Sequence, residues 1–476
     1  MLKQFIAFSY GSWVSAAISF FTTPIITLLI IPEEFGKSSM FTLALQFVTQ
    51  IGLLGLDQSF MRMFYEKKEE KDRTRLAWIC IILSVGTTFL VICFLLPFWS
   101  QISTVLFEES VFLSVLLLVI CLFLSIIERF TTSVVRIKKK GNVFSIIRII
   151  NAVVNVVVVI CYAKFIAPSF YAIVFGTLFS LTISIVISLI TEIQFWKKRF
   201  EAVLFKQSEI KQIFYYGLPL VPVFIVTILF QSMDKMMLRA YSSFNEIGLY
   251  AAANKFIFPL TIIQSGFTMF WYPLALETYE KDNTNYVFFE NMFKYMAALI
   301  LISASAVLIL KDIIVYLLAP SYRSSIHIMP FLILVPLMYI LGDVTGLGIG
   351  FKKRTYLNFV FIIPAILINF IGNYLLIPLY GARGAAISTG IAYIFYFSLR
   401  TYISFRLFPA RYPIVKYLPS FCFLLIFIFL NTFINIPFFV NIGLSVIIIL
   451  LHRKIVFDFL QKGIKEIRGT SHDIHE

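Results

Sequence analysis

The chain has 476 residues, of which 60% are hydrophobic, 17% are aromatic and 14% are charged. A soluble protein of this length carries about a quarter of its residues as charges, so this composition excludes a large soluble globule. The formal net charge of +15 is carried by short connectors between apolar runs, which is typical of membrane-protein loops and not of a nucleic-acid-binding face. All five cysteines lie inside apolar segments without metal-ligand spacing, so we expect no metal site and no cofactor.

The apolar runs predict the secondary structure directly. A membrane-spanning helix needs about 20 apolar residues, and about fourteen segments of the chain meet that requirement. In chain order they are 5–31, 38–63, 76–99, 111–135, 143–166, 170–195, 213–238, 247–275, 291–318, 327–350, 356–379, 384–407, 414–433 and 436–452. The first run is too long for a signal peptide and is expected to stay as a span. The sequence thus predicts an all-α polytopic membrane protein of about 14 transmembrane helices.

Basic residues are concentrated in every second connector. The dense clusters lie within 67–75, 138–140, 197–211, 352–354 and 453–468, whereas the alternate connectors hold only isolated lysines and arginines. Because Lys and Arg favour cytoplasmic loops, we expect both termini to be cytoplasmic and the protein to lie in the cell (inner) membrane.

The first six segments resemble the next six. Four pairs of motifs recur in order, 206 to 214 positions apart: Ser9-Tyr10-Gly11 with Tyr215-Tyr216-Gly217, Glu34-Phe35-Gly36 with Glu246-Ile247-Gly248, Lys138-Lys139-Lys140 with Lys352-Lys353-Arg354, and Ala167-Pro168-Ser169 with Gly381-Ala382-Arg383. An even number of spans per repeat makes the repeats parallel, as in two-lobed transporters. We therefore predict two pseudo-symmetric six-helix lobes, 1–200 and 201–410, then two additional helices in 411–452 and a basic cytoplasmic tail in 453–476.

Several ionisable residues fall at the depth of the bilayer. An ionisable side chain there costs about 2.5–3.5 kcal/mol on insertion scales, so it normally faces a cavity or a partner. Arg129 and Arg148 lie roughly 12–13 Å inside their spans at a rise of 1.5 Å per residue, and Lys255 is about as deep from the other end of its span. Arg62 is shallower, so it either lines a cavity or snorkels to the interface. Cations that share one cavity would bind an anion such as a diphosphate; the alternative is structural pairing with deep acids.

The connectors exclude two enzyme classes. None is long enough to fold as a catalytic domain, so a membrane glycosyltransferase or polymerase is not expected. The sequence also contains no G-x-x-x-x-G-K-[ST] loop for ATP phosphates. We therefore expect a protein that is not an enzyme and has no catalytic residues.

Several stretches of the chain resemble one transporter family in order and spacing. They are Pro24-Ile25-Ile26-Thr27-Leu28-Leu29, Ile31-Pro32-Glu33-Glu34-Phe35-Gly36, Gly55-Leu56-Asp57-Gln58-Ser59-Phe60-Met61-Arg62, Asp234-Lys235-Met236-Met237-Leu238, Ile247-Gly248-Leu249-Tyr250-Ala251-Ala252-Ala253-Asn254-Lys255, and Gly381-Ala382-Arg383-Gly384-Ala385-Ala386. They resemble the Wzx-like oligosaccharide and polysaccharide flippases of the multidrug/oligosaccharidyl-lipid/polysaccharide exporter superfamily, along the whole chain.

That resemblance implies a flippase that moves a polyprenyl-diphosphate-linked oligosaccharide to the outer leaflet by alternating access, for surface polysaccharide biosynthesis. The family's cationic cavity matches Arg62, Arg129, Arg148 and Lys255, and the acids Asp57, Asp234 and Asp343 are the candidate ion-coupling residues. The implied partners are the lipid-linked glycan, membrane lipids, Na⁺ or H⁺, and other polysaccharide-assembly membrane proteins. A cation-coupled multidrug or small-solute antiporter on the same scaffold is the alternative, favoured if the deep acids converge on the cavity.

Overall fold

The computed structural model describes residues 2–197, 207–354, 356–434, 436–443 and 445–453. The described chain is 89% helical and contains no strand, so the all-α prediction is confirmed. It separates into two compact units, Met1–Ala251 and Ala252–Glu476. The predicted boundary at residue 200 follows the sequence repeat and stays a prediction.

Twenty helices are numbered here in chain order. They are α1 (Leu2–Leu29), α2 (Pro32–Leu53), α3 (Leu56–Phe64), α4 (Glu70–Leu95), α5 (Trp99–Phe107), α6 (Phe112–Ile137), α7 (Gly141–Phe165), α8 (Tyr171–Thr191), α9 (Ile193–Lys197), α10 (Gln207–Gly217), α11 (Val221–Tyr241), α12 (Phe244–Phe256), α13 (Phe258–Lys281), α14 (Tyr286–Tyr316), α15 (Met329–Leu332), α16 (Leu334–Thr345), α17 (Leu347–Phe351), α18 (Leu357–Tyr380), α19 (Ala382–Leu407) and α20 (Ile414–Phe433). Residues 438–443 and 445–453 are also helical.

Among the described residues, nine helices are long and apolar enough to cross a membrane, and three bent helix pairs raise that number to twelve. Of the other two predicted spans, 384–407 is helical but less apolar, and the described part of 436–452 is helical over 438–443 and from 445 onward. The first of them, α19, contains three arginines. This is close to the predicted fourteen, and the fold class is confirmed.

Helices α2 and α12, which begin at equivalent places in the sequence repeat, each end at a bend, but α2 has 22 residues and α12 has 13. The pair α2–α3 and the pair α12–α13 are each bent by 54°, and the first residues of α2 and α12 lie 212 positions apart. The break after α2 has two left-handed residues, Leu54 at φ 46° and Gly55 at φ 72°. Glycine adopts that conformation without steric cost. The break after α12 is followed by Pro259, whose missing N–H is tolerated in the first turn of α13.

Asparagine side chains give each unit a similar helix contact. In the first unit, Asn151 of α7 donates to the Ser180 carbonyl at 3.2 Å and the Ser184 hydroxyl at 2.8 Å, both on α8. In the second unit, Asn369 of α18 donates to the Thr389 hydroxyl of α19 at 3.0 Å. Such amide bonds hold neighbouring spans together where water is absent, and their recurrence supports the predicted duplication.

Two glycines of the repeat meet each other inside the first unit. A Cβ atom on Gly36 would lie 2.0 Å from the carbonyl oxygen of Phe244, and one on Gly248 would lie 1.8 Å from the carbonyl oxygen of Pro32. Each glycine thus contacts the first residue of the helix that contains the other glycine. The N-terminal turns of α2 and α12 therefore pack backbone against backbone.

The short helix α3, which carries Asp57, is held against α10. The Ser59 hydroxyl donates to the Ile213 carbonyl of α10 at 2.8 Å. Nearby, Glu209 of α10 forms ion pairs with Lys67 at 3.1 Å and Arg75 at 2.9 Å. The position of α3 is therefore fixed by both a buried hydrogen bond and an ionic cluster at one end.

A buried carboxylate anchors the basic connector after α6. Glu192 is only 4% exposed and pairs with Lys138 at 2.9 Å and Lys140 at 2.5 Å. Burial lowers the pKa of Lys138, but its hydrogen bonds to Glu70 and Glu192 outweigh burial and leave the pKa above its usual value. A raised base pKa means that this stabilisation is complete at neutral pH and is lost only as the pH rises through the folded-state pKa.

Replacing Lys138 by methionine should lower the free energy of unfolding by about 1–3 kcal/mol, because it leaves a buried carboxylate with one partner fewer. Thermal unfolding in detergent measures the change, and the neighbouring exposed Lys139→Met is the control. Equal effects of the two variants would contradict the anchoring role of Glu192.

Candidate substrate-binding site

Two predicted site residues, Asp57 of α3 and Arg129 of α6, form an ion pair. The Nε and Nη2 atoms of Arg129 both lie 3.0 Å from Oδ2 of Asp57. The Gln58 side chain donates to the same oxygen at 2.9 Å. The carboxylate is 1% exposed, whereas the arginine side chain is 48% exposed. The predicted cation and the predicted coupling acid are therefore direct partners.

Arg148 of α7 interacts with Glu128, the residue next to Arg129 in the chain. It is exposed, and its guanidinium lies 5.4 Å from the centre of the Phe144 ring, one helical turn away. The half-buried Glu128 of α6 interacts electrostatically with Arg148 and, less strongly, with Arg129. Four formal charges thus lie together in the first unit, and their sum is zero.

Arg62, at the far end of α3, lines an open cavity of about 720 Å³. Its side chain is 67% exposed and lies 3.5 Å from Glu66. The cavity is lined by Arg62, Met63, Glu66, Ser208, Lys211, Gln212, Tyr215 and Tyr216. The two predicted roles of Arg62 are lining a cavity and snorkelling to the interface. Both require an exposed guanidinium, so both stay predictions.

Asp234 of α11 is buried and accepts a hydrogen bond from the Tyr250 hydroxyl. Both residues belong to the first unit. The carboxylate is therefore held inside the helix packing by a neutral donor.

The second unit contains Lys255 and Asp343. Lys255, in the last turn of α12, is exposed. Asp343 of α16 pairs with Arg400 of α19 at 2.9 Å and accepts a hydrogen bond from the Thr268 hydroxyl at 2.6 Å. Both members of this ion pair are mostly buried, at 11% and 17% exposure. Asp343 and Arg400 therefore form a polar contact between α16, α13 and α19.

Arg400 is a residue that the sequence analysis did not single out. It lies seven residues before Leu407, the end of α19, which is roughly 10 Å at 1.5 Å per residue. The same depth arithmetic that selected Arg148 would have selected Arg400 as well. Its guanidinium also donates to the Tyr396 hydroxyl at 3.3 Å.

The predicted basic and acidic site residues differ in their exposure to solvent. Arg62, Arg129, Arg148 and Lys255 are all exposed, whereas Asp57, Asp234 and Asp343 are all largely buried against partners. Among the described residues, no three His, Cys, Asp or Glu side chains are grouped to hold a metal ion. The surfaces at these positions therefore present guanidinium and ammonium groups, which bind phosphate oxygens well.

The fold matches solved membrane proteins over nearly its full length. "Lipid II flippase MurJ, inward closed conformation" superposes with a TM-score of 0.71 at 17% identity, covering 96% of this chain and 99% of that chain. An inward-facing multidrug resistance MATE family transporter of the MOP superfamily gives 0.61 at 14% identity, covering 84% and 95%. A mutant of the Vibrio cholerae MATE transporter VcmN gives 0.58 at 14% identity, covering 85% and 96%. At these identities the likeness establishes a shared fold.

The amino-acid sequence matches one family. No curated protein matches it significantly, but residues 1–279 match the family described as "Polysaccharide biosynthesis protein". That match spans more than half of the chain, in agreement with the resemblance seen in the sequence motifs. The chain therefore belongs to the polysaccharide biosynthesis protein family.

Proposed function

We propose that this protein is a flippase that moves a polyprenyl-diphosphate-linked oligosaccharide from the cytoplasmic to the outer leaflet of the cell membrane. Family membership supports a role in polysaccharide assembly, and the fold is shared with a protein titled as a lipid II flippase. The proposed reaction breaks no bond, so the protein acts as a transporter and not as an enzyme.

The observation that carries this proposal is the exposure of cations at membrane depth. Arg129 and Arg148 expose their guanidinium groups within apolar helices, α6 and α7. An exposed arginine inside a hydrocarbon layer is costly unless it faces water or an anion. A diphosphate supplies the oxygens that guanidinium groups bind in pairs.

The diphosphate is the difficult part of such a substrate to move, because its charge opposes entry into hydrocarbon. We infer that Arg62, Arg129, Arg148 and Lys255 replace the hydration of the diphosphate, while the prenyl chain stays in the bilayer. The two repeats would then expose the headgroup alternately to either side of the membrane.

We infer that both termini are cytoplasmic. Lys and Arg favour cytoplasmic loops, and an even number of spans places both termini on the same side of the membrane as the connectors that hold the basic clusters. Asp57, Asp234 and Asp343 are the candidate residues for coupling to Na⁺ or H⁺. Glycan-assembling membrane proteins on either leaflet are the expected partners, because they supply and consume the lipid-linked glycan.

A strain lacking the gene tests the proposal. We expect it to accumulate lipid-linked oligosaccharide in the inner leaflet, measured by the accessibility of the glycan in intact and opened spheroplasts, and to lose surface polysaccharide. Restoring the wild-type gene should reverse both changes. Normal surface polysaccharide in the deletion strain would contradict the proposal.

The second candidate is a cation-coupled multidrug or small-solute antiporter. The observation that favours it is the set of buried carboxylates, together with the likeness in fold to MATE transporters. Drug sensitivity of the same deletion strain, with unchanged surface polysaccharide, would favour the antiporter.

A further inference from the structure

The carboxylate of Asp57 is contacted on one oxygen only. Both Arg129 nitrogens and the Gln58 amide reach Oδ2. The other oxygen, Oδ1, is buried and has no hydrogen-bond partner among the described residues. A buried carboxylate oxygen without a donor is unusual, because almost all buried polar atoms are hydrogen-bonded. Oδ1 is therefore a buried oxygen, unpartnered within the described part of the chain, on an otherwise enclosed acid.

The two members of the ion pair differ in their access to solvent. Asp57 is enclosed on the short helix α3, at 1% exposure, while nearly half of the Arg129 side chain is open. The flexible arginine can turn towards an anion in the open space. The aspartate cannot follow, because α3 is fixed against α10 by Ser59.

The groups around Asp57 cannot replace Arg129. From α4, the buried thiol of Cys80 interacts electrostatically with Asp57 and is neutral. From α6, Glu128 adds a further negative charge beside Arg129. On α10, Glu209 is already bound by Lys67 and Arg75. If Arg129 leaves, Asp57 is a buried anion in an apolar surrounding.

The total charge of the residues around Asp57 also makes an ionised Asp57 unfavourable when the diphosphate is bound. Asp57, Glu128, Arg129 and Arg148 sum to zero, so a diphosphate diester with two negative charges would leave the cluster negative. Burying net charge is far more costly than burying a neutral acid. A proton on a carboxylate is the smallest change that lowers this negative charge, and one proton offsets half of it.

We propose that Arg129 exchanges Asp57 for the substrate diphosphate, and that Asp57 takes up a proton at Oδ1 when it loses the arginine. This inference rests on the proposed function. The proton comes from solvent and forms the O–H bond of a neutral carboxylic acid, and the guanidinium keeps its charge throughout. Asp57 thus occupies the anion site in the empty protein and is neutral in the loaded protein.

A proton suits this position better than a metal cation. Oδ1 is a single oxygen, and the positive guanidinium lies on the same carboxylate. A metal cation needs several oxygen ligands. We therefore expect diphosphate binding to depend on pH and not on Na⁺.

The test uses the purified full-length protein and a farnesyl methyl diphosphate probe, whose diester charge is constant over the pH range of the experiment. Titration calorimetry in buffers of different ionisation enthalpy gives both the Kd and the number of protons taken up. For the wild type we expect uptake of about one proton and, over the pH range of that uptake, a Kd that rises about tenfold per pH unit.

Two variants test the roles of Asp57 and Arg129 separately. Asp57→Asn should bind the probe without proton uptake, independently of pH, and more tightly than the wild type at the alkaline end. Arg129→Gln should bind weakly at every pH. The exposed Asp72→Asn on α4 is the matched control and should keep the wild-type pH dependence.

The outcomes that contradict the inference differ from those that contradict the function. Tight wild-type binding without proton uptake overturns the exchange and leaves the flippase proposal standing; this result does not depend on whether Asp57→Asn folds. Retention of the wild-type slope by a folded Asp57→Asn, or a Kd that responds to Na⁺ instead of pH, also overturns the exchange. Failure of the wild type to bind the probe at any pH overturns the proposed function and this inference with it.

Discussion

Replacing Arg148 by glutamine is expected to weaken binding of the diphosphate headgroup by about tenfold to a hundredfold. This is the loss expected for one charge-assisted hydrogen bond to phosphate. Arg148 is exposed in the apolar part of α7, where the half-buried Glu128 offsets its charge. Combining Arg148→Gln with Lys255→Gln should abolish surface polysaccharide while folded protein remains in the membrane.

The chain offers a matched control for this experiment on the same helix. Lys164 is exposed near the other end of α7, so Lys164→Gln removes one positive charge outside the proposed site. Polysaccharide export in a complemented deletion strain and membrane protein levels are the two measurements. Full export by the double Arg148 and Lys255 variant would refute the cationic site.

The second large effect is expected at Gly248. An alanine there would place its Cβ 1.8 Å from the carbonyl oxygen of Pro32, and the same change at Gly36 would place it 2.0 Å from that of Phe244. Backbone atoms cannot move aside as a flexible side chain can. We expect Gly248→Ala to lower the free energy of unfolding by at least about 1–3 kcal/mol, the cost typical of overpacking.

Gly86 is the control for this substitution. It lies in α4, and a Cβ there would meet nothing within 4 Å. Gly86→Ala should therefore stabilise the helix by about 0.5–1 kcal/mol. Thermal unfolding in detergent measures both variants; equal stability of Gly248→Ala and the wild type would show that the contact between α2 and α12 is loose.

The class of fold and the spans were readable from the sequence because they depend on local composition. Apolar length, connector charge and the spacing of motifs are properties of one segment at a time. The bends were not predicted: segment 38–63 was read as continuous, whereas Leu54 and Gly55 adopt left-handed backbone conformations between α2 and α3. A tolerated glycine and a required one look alike in a single sequence.

The depth of a charge could also be predicted, but its partner could not. Arg129 was selected by its depth in its own span and Asp57 through the family resemblance, and their pairing depends on how α6 and α3 are rotated about their axes. Arg400 satisfies the same depth arithmetic as Arg148, but its partner Asp343 lies on another helix. Contacts between helices are set by packing angles that periodicity alone does not contain.

The reciprocal glycine contact has a consequence for the ancestry of this chain. If the predicted duplication is the origin of this chain, its unduplicated ancestor would have packed two identical copies of the Glu-x-Gly motif together across a two-fold axis, as in a symmetric homodimer. Any mutation there would have altered both sides at once. Fusion of two such copies would have made the two positions genetically independent, so that Gly36 and Gly248 would each have to be preserved separately.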